Sequence, residues 1–181
     1  MSFFQKHKEL IGFLAKLGIL CGLYFWWFKP NVWTMPVVST YYGHFVHYTL
    51  KFLIEPSVWI LNLLGYESIV VNLREIDMFD LEFNIHIRNY CLGTDMMFSL
   101  TALIVSFPGR WIDRLWFIPL GLLGIQAINI ARIVGLCLAW LRWGTDGPVD
   151  HHDLFNMVAV TFIFFLFVAW VNRYQKKEPA R

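Results

Sequence analysis

The sequence predicts an all-α membrane protein: a bundle of four or five transmembrane helices, with an amphipathic or re-entrant helix and a small external β-hairpin. Of the 181 residues, 57% are hydrophobic and only 15% are charged, whereas soluble domains average about 25% charged residues. Several apolar runs approach the ~20 residues that cross a bilayer. One stretch instead alternates apolar and polar residues, which is typical of β-strands. We expect one integral-membrane domain over residues 1–181.

Four apolar runs are the predicted spans: residues 10–28, 91–107, 115–143 and 154–171. A further segment, residues 41–65, has the length to cross, but ionisable residues and Pro56 interrupt it. It either crosses the bilayer or lies along its surface as an amphipathic helix.

The hairpin is predicted within residues 66–90, because apolar side chains recur there every second position. In the second half of this stretch they are expected on one side of the sheet: Phe79, Leu81, Phe83, Ile85 and Ile87.

Lysine and arginine are concentrated in the turn 108–114 and in the tail 172–181, which we therefore expect on the cytoplasmic side. The acidic hairpin and the polar turn 144–153 are then external. If the N-terminus is also cytoplasmic, residues 41–65 cannot cross fully, and we favour four spans plus an external or re-entrant helix. Five spans with an external N-terminus are the alternative.

Composition excludes several other classes. A formal charge of +2 is too small to indicate nucleic-acid binding, and an odd number of cysteines gives no disulfide framework. The first apolar run lacks a small-residue cleavage site, so we expect it to be retained as a span. His151, His152 and Asp153 are adjacent in one turn and are not expected to form a closed metal site.

Arg132 is the only charged residue between Leu115 and Leu141. A guanidinium stays protonated, and insertion scales put its cost at mid-helix near 2.5–3.5 kcal/mol, so a polar group inside the bundle must compensate it. The simplest interpretation is structural, with Arg132 satisfied by backbone carbonyls or by Asp95. The other interpretation is that Arg132 serves a reaction.

The predicted topology brings Cys91, Arg132 and the His151–His152 pair to one membrane face. A free cysteine has a pKa of about 8.5, and cations nearby favour its nucleophilic thiolate form. An imidazole accepts the thiol proton and returns it to a leaving amine. Cysteine, arginine and histidine together make a set suited to acyl transfer.

Two further residues support this set. Asn129 precedes Arg132 by three positions and shares its helix face, where an amide orients the guanidinium or a substrate. Gly93, two residues after Cys91, allows a substrate backbone to approach closely.

Three segments in this order resemble the exosortase/archaeosortase family of integral-membrane cysteine transpeptidases: Asn-Tyr-Cys91-Leu-Gly93, Asn129-Ile-Ala-Arg132-Ile and His152-Asp-Leu-Phe-Asn. The resemblance covers residues 45–170 approximately, a short core compared with eight-span members. Many members carry an acidic residue two before the cysteine and a serine after it, where this chain has Asn89 and Leu92.

The resemblance implies that Cys91 is the nucleophile, that Arg132 is the partner of the thiolate or oxyanion, and that His152 carries the proton. His152 is preferred to His151 because it lies three positions before Phe155. No cofactor and no metal are implied.

The implied substrates are exported proteins that end in a short motif, a transmembrane helix and a basic tail. The acyl group would pass to a lipid-linked or polysaccharide acceptor, or to water. The implied location is the cytoplasmic (inner) membrane, in contact with lipid, with a multi-pass chain whose site faces the periplasm or exterior. From other classes, a non-catalytic scaffold with Arg132 paired to Asp95, and a small transporter, remain alternatives.

Overall fold

The computed structural model describes residues 3–79, 84–143 and 151–177. Six α-helices account for most of this: α1 (Phe3–Gly22), α2 (Lys29–Asn31), α3 (Pro36–Leu63), α4 (Thr94–Ser106), α5 (Trp111–Trp143) and α6 (His151–Lys177). A π-helical turn, Leu23–Phe28, joins α1 to α2 without a break. Between α3 and α4 lie three short strands, β1 (Ser68–Asn72), β2 (Glu75–Met78) and β3 (Ile85–His86), and a 3₁₀ turn, Asn89–Leu92.

Three helical stretches of the described chain are long and apolar enough to cross a membrane: His7–Asn31, Trp111–Trp143 and Asn156–Arg173. With the small sheet, they confirm the all-α membrane class. α3 is one continuous helix of 28 residues, with Pro56 inside it, and is not among these stretches.

α4 is apolar but has only 13 residues. At 1.5 Å per residue it is about 20 Å long, against roughly 30 Å for the hydrocarbon core of a bilayer. The predicted span over residues 91–107 is therefore a shorter helix than expected, preceded by a 3₁₀ turn.

The predicted hairpin is a three-stranded antiparallel sheet in the order β1-β2-β3. The tight turn follows Asn72, whose Oδ1 accepts the Arg74 N–H at 2.8 Å while its Nδ2 donates to Glu75 Oε2 at 2.6 Å. These bonds close an Asx-type turn, which ends β1 early and starts β2 at Glu75.

The expectation that residues 79–87 put five apolar side chains on one side was wrong in part. Ile85 and Ile87 are buried, but Phe79 is 62% exposed. Leu81 and Phe83 lie outside the described residues. The two-residue period instead covers β2, where Ile76 and Met78 are both fully buried.

Two hydrophobic clusters share helix α5. The sheet-side cluster joins α3, the strands, the 3₁₀ turn and the C-terminal half of α5, and it includes Cys91 and Ile133. The helix cluster joins α4, α6 and the N-terminal half of α5, around Leu100, Ile125 and Trp170. Because α5 belongs to both clusters, it fixes the sheet and the 3₁₀ turn relative to the other helices.

We expect Trp170→Ala to lower the free energy of unfolding by about 3–5 kcal/mol, the usual loss for a buried aromatic residue. Trp170 is 2% exposed, and its ring lies 5.2 Å from that of Phe117. The control is Trp116→Ala, since Trp116 is 80% exposed and should change little. Denaturant titration in detergent measures both, and equal losses would contradict this packing.

Candidate active site

Cys91 lies on the one-turn bridge between the sheet and α4. The 3₁₀ turn Asn89–Leu92 carries it, and its N–H donates to Arg88 O at 2.9 Å. The chain then passes through Gly93, which adopts the left-handed conformation with φ 70° and ψ 18°. This left-handed residue ends the 3₁₀ turn, and α4 begins directly after it, at Thr94.

Arg132 reaches this turn from α5. Its Nη2 donates a hydrogen bond to Cys91 Sγ at 3.5 Å. Both side chains are enclosed, with Arg132 5% and Cys91 8% exposed. The contact places a permanently protonated guanidinium against the Cys91 sulfur.

Asn129, one helical turn before Arg132, contacts the backbone of the same 3₁₀ turn. Its Nδ2 donates to Leu92 O at 3.3 Å and to Gln126 Oε1 at 3.1 Å. The amide predicted to orient the guanidinium or a substrate thus holds the turn that carries Cys91.

Gln126 is a site residue that the sequence argument missed. Its Nε2 donates to Leu92 O at 3.3 Å and to Met97 Sδ at 2.8 Å. The signal was present in the sequence, because Gln126, Asn129 and Arg132 follow one another at three-residue intervals in an otherwise apolar helix.

Gly93 faces Asn129. A Cβ added at Gly93 would lie 2.3 Å from Asn129 Nδ2, closer than two heavy atoms can approach. A hydrogen atom at this position therefore serves both the positive φ and the close packing on α5. Its predicted part in admitting a substrate backbone stays a prediction.

Asp95 lies near the start of α4 and is paired with the N-terminal helices. Lys29 Nζ lies 2.6 Å from Asp95 Oδ2, and the Tyr24 hydroxyl donates to Asp95 Oδ1 at 3.2 Å. Within the described residues no ion pair joins Asp95 to Arg132. The described contacts of Asp95 instead tie α4 to the π-helical turn and α2, and the Asp95–Arg132 pair of the scaffold alternative is not among them.

Comparison with known proteins identifies a family for this chain. The transmembrane exosortase family matches residues 22–171, which is most of the chain. The chain belongs to this family. No curated protein and no solved structure matched it. The family and the three apolar helices together show that this exosortase is a multi-pass membrane protein.

The two histidines predicted to carry the proton open α6 of the exosortase, at His151 and His152. Their side chains lie outside the described residues, so the third member of the set stays a prediction. Among the residues that are described, no three His, Cys, Asp or Glu side chains come together as a metal site would need.

We expect Gly93→Ala to destabilise the exosortase more than Gly65→Ala. Both glycines have a positive φ, 70° and 90°, so each substitution costs about 1–2 kcal/mol of backbone strain. Only at Gly93 does the new Cβ meet another side chain, since nothing lies within 4 Å at Gly65. Equal losses in denaturant titration would mean that Asn129 moves aside without cost.

We expect Asp95→Asn to cost at most about 1 kcal/mol of unfolding free energy, because exposed ion pairs contribute little. The side chains of Lys29 and Asp95 are 51% and 42% exposed. Lys29→Met is the matched variant and should behave alike in thermal melts. A loss of several kcal/mol for Asp95→Asn alone would indicate that Asp95 compensates a buried charge, as the scaffold alternative requires.

Proposed function

We propose that this exosortase is a membrane-embedded cysteine transpeptidase in which Cys91 is the nucleophile. The observation that supports this most directly is the 3.5 Å contact between Cys91 Sγ and Arg132 Nη2, made by two enclosed side chains. Cys91 and Arg132 come from separate segments of the chain, 41 positions apart, and each belongs to one of the three motifs that resemble the family.

The proposed reaction has two acyl-transfer steps. The Cys91 thiolate attacks the scissile carbonyl, and the guanidinium of Arg132 donates to the oxyanion that forms. His152, having taken the thiol proton, returns it to the leaving amine, so the peptide bond breaks and a thioester forms on Cys91. An acceptor amine or hydroxyl then attacks the thioester and restores the thiol; water in its place gives hydrolysis.

The proposed substrate is an exported protein whose C-terminal tail has a short motif, a transmembrane helix and a basic cluster. The proposed acceptor is lipid-linked or a polysaccharide. We place the enzyme in the cytoplasmic membrane with its site towards the exterior, since arginine and lysine dominate the opposite loops.

The test is coexpression with an exported reporter that ends in a motif–helix–basic tail taken from the same genome. We expect Cys91→Ala to leave the reporter uncleaved. Arg132→Gln should slow cleavage by about 100- to 1000-fold, the loss typical of an oxyanion donor. Gel mobility of the reporter measures cleavage, and hydroxylamine, which splits thioesters, should release a trapped reporter fragment from the wild-type enzyme.

Cys21→Ala and Cys137→Ala are the matched controls, because neither residue has a described contact with Arg132, and both should cleave normally. Membrane insertion of each variant is checked by carbonate extraction. Cleavage by Cys91→Ala at the wild-type rate would end the proposal.

A further inference from the structure

Gln126 and Asn129 form a pair of carboxamides on the face of α5 that meets the 3₁₀ turn. They are 6% and 5% exposed. Glutamine and asparagine are costly in the middle of an apolar membrane helix, where no water satisfies their polar atoms. Such side chains persist where they satisfy another buried polar group.

The group that they satisfy is the carbonyl of Leu92, the residue after Cys91. Leu92 O accepts from Gln126 Nε2 and from Asn129 Nδ2, each at 3.3 Å. A carbonyl oxygen has two lone pairs, so both are occupied. The peptide plane between Leu92 and Gly93 is therefore held against α5 from two positions on that helix.

The other atoms of the pair make the arrangement rigid. Asn129 Nδ2 also donates to Gln126 Oε1 at 3.1 Å, which fixes one carboxamide against the other. Gln126 Nε2 also donates to Met97 Sδ at 2.8 Å, one turn into α4. Gln126 thus connects α5 to both sides of Gly93, the residue in the left-handed conformation.

We propose that Gln126, acting with Asn129, is a positioning residue that sets the distance between Cys91 and Arg132. Arg132 lies six residues after Gln126 on the same rigid helix, while Cys91 lies one residue before the carbonyl that Gln126 holds. The two donors to Leu92 O therefore fix the position of the turn relative to the Arg132 guanidinium. Without them, the described side-chain hydrogen bonds from α5 to the turn reduce to the Arg132–Cys91 contact itself, whose distance no second bond then fixes.

A double-mutant cycle tests this without any peptide substrate. In a Cys21→Ala/Cys137→Ala background, Cys91 is the single thiol, and iodoacetamide alkylation at one fixed pH reports its environment. The rate is measured for Arg132→Gln, for Gln126→Met and for the two combined. Because a positioning residue acts through the Cys91–Arg132 contact, we expect the effect of Arg132→Gln to shrink by threefold or more when Gln126 is Met. If the two residues acted independently, the rate in the double variant would equal the product of the two single effects to within about twofold.

Ile125→Ala is the matched control. Ile125 is adjacent to Gln126 on α5 and fully buried, but it packs in the helix cluster. It should destabilise the protein while leaving the effect of Arg132→Gln unchanged. Gln126→Glu is the second variant: it keeps the shape and the acceptor for Asn129, but its carboxylate cannot donate to Leu92 O, so it should behave like Gln126→Met.

Three results would overturn the proposal. The first is an effect of Arg132→Gln that is the same with Gln, Met or Glu at position 126. The second is an effect that shrinks for Gln126→Met but not for Gln126→Glu, and the third is no effect of Arg132→Gln on the alkylation rate. Since alkylation needs no catalysis, the result stands whether or not the transpeptidase proposal does. Cleavage of the reporter tests that proposal separately.

Discussion

A charge that cannot be neutralised, set well inside an apolar helix, is the constraint on which this molecule depends. Arg132 is 5% exposed, and the membrane offers its guanidinium no water. One described contact of this charge is the Cys91 sulfur, which the 3₁₀ turn Asn89–Leu92 holds 3.5 Å from Arg132 Nη2. The small sheet between α3 and α4 leads into that turn.

The sheet helps to position this turn. β2 buries Ile76 and Met78 in the cluster that also contains Cys91, and Ile85 and Ile87 continue the same surface to the residues just before the turn. A loop of similar length without these anchors would reach α5 with no fixed register. The strands, although short, thus pack the residues before the 3₁₀ turn into the same cluster as α3 and α5.

The sequence was sufficient for the membrane class, because composition and run length decide it, and for the meeting of Cys91 with Arg132. The exact strands were not predictable, because the Asx-type turn at Asn72 depends on side-chain hydrogen bonds that the apolar–polar period does not record. The partner of Asp95 was not predictable either, because Lys29 and Tyr24 reach it through the path of the π-helical turn, and the sequence argument considered Arg132 only as an alternative partner.

The sequence argument missed Gln126 for a different reason. A lone glutamine in an apolar run gives no indication of its target, and its target here is a backbone carbonyl 34 positions away. Only the three-residue spacing with Asn129 and Arg132 marked the face on which it lies. Polar residues at this interval on a membrane helix therefore indicate backbone that needs hydrogen bonds, as well as chemistry.

The length of α4 determines where along α5 the turn with Cys91 lies. This helix packs against α1, α5 and α6, and it has 13 residues whereas α5 has 33. A helix of 13 residues is about 20 Å long, roughly 10 Å shorter than the hydrocarbon core of a bilayer. The turn that carries Cys91 therefore meets α5 along its length, at Gln126, Asn129 and Arg132, and α5 continues beyond this contact to Trp143.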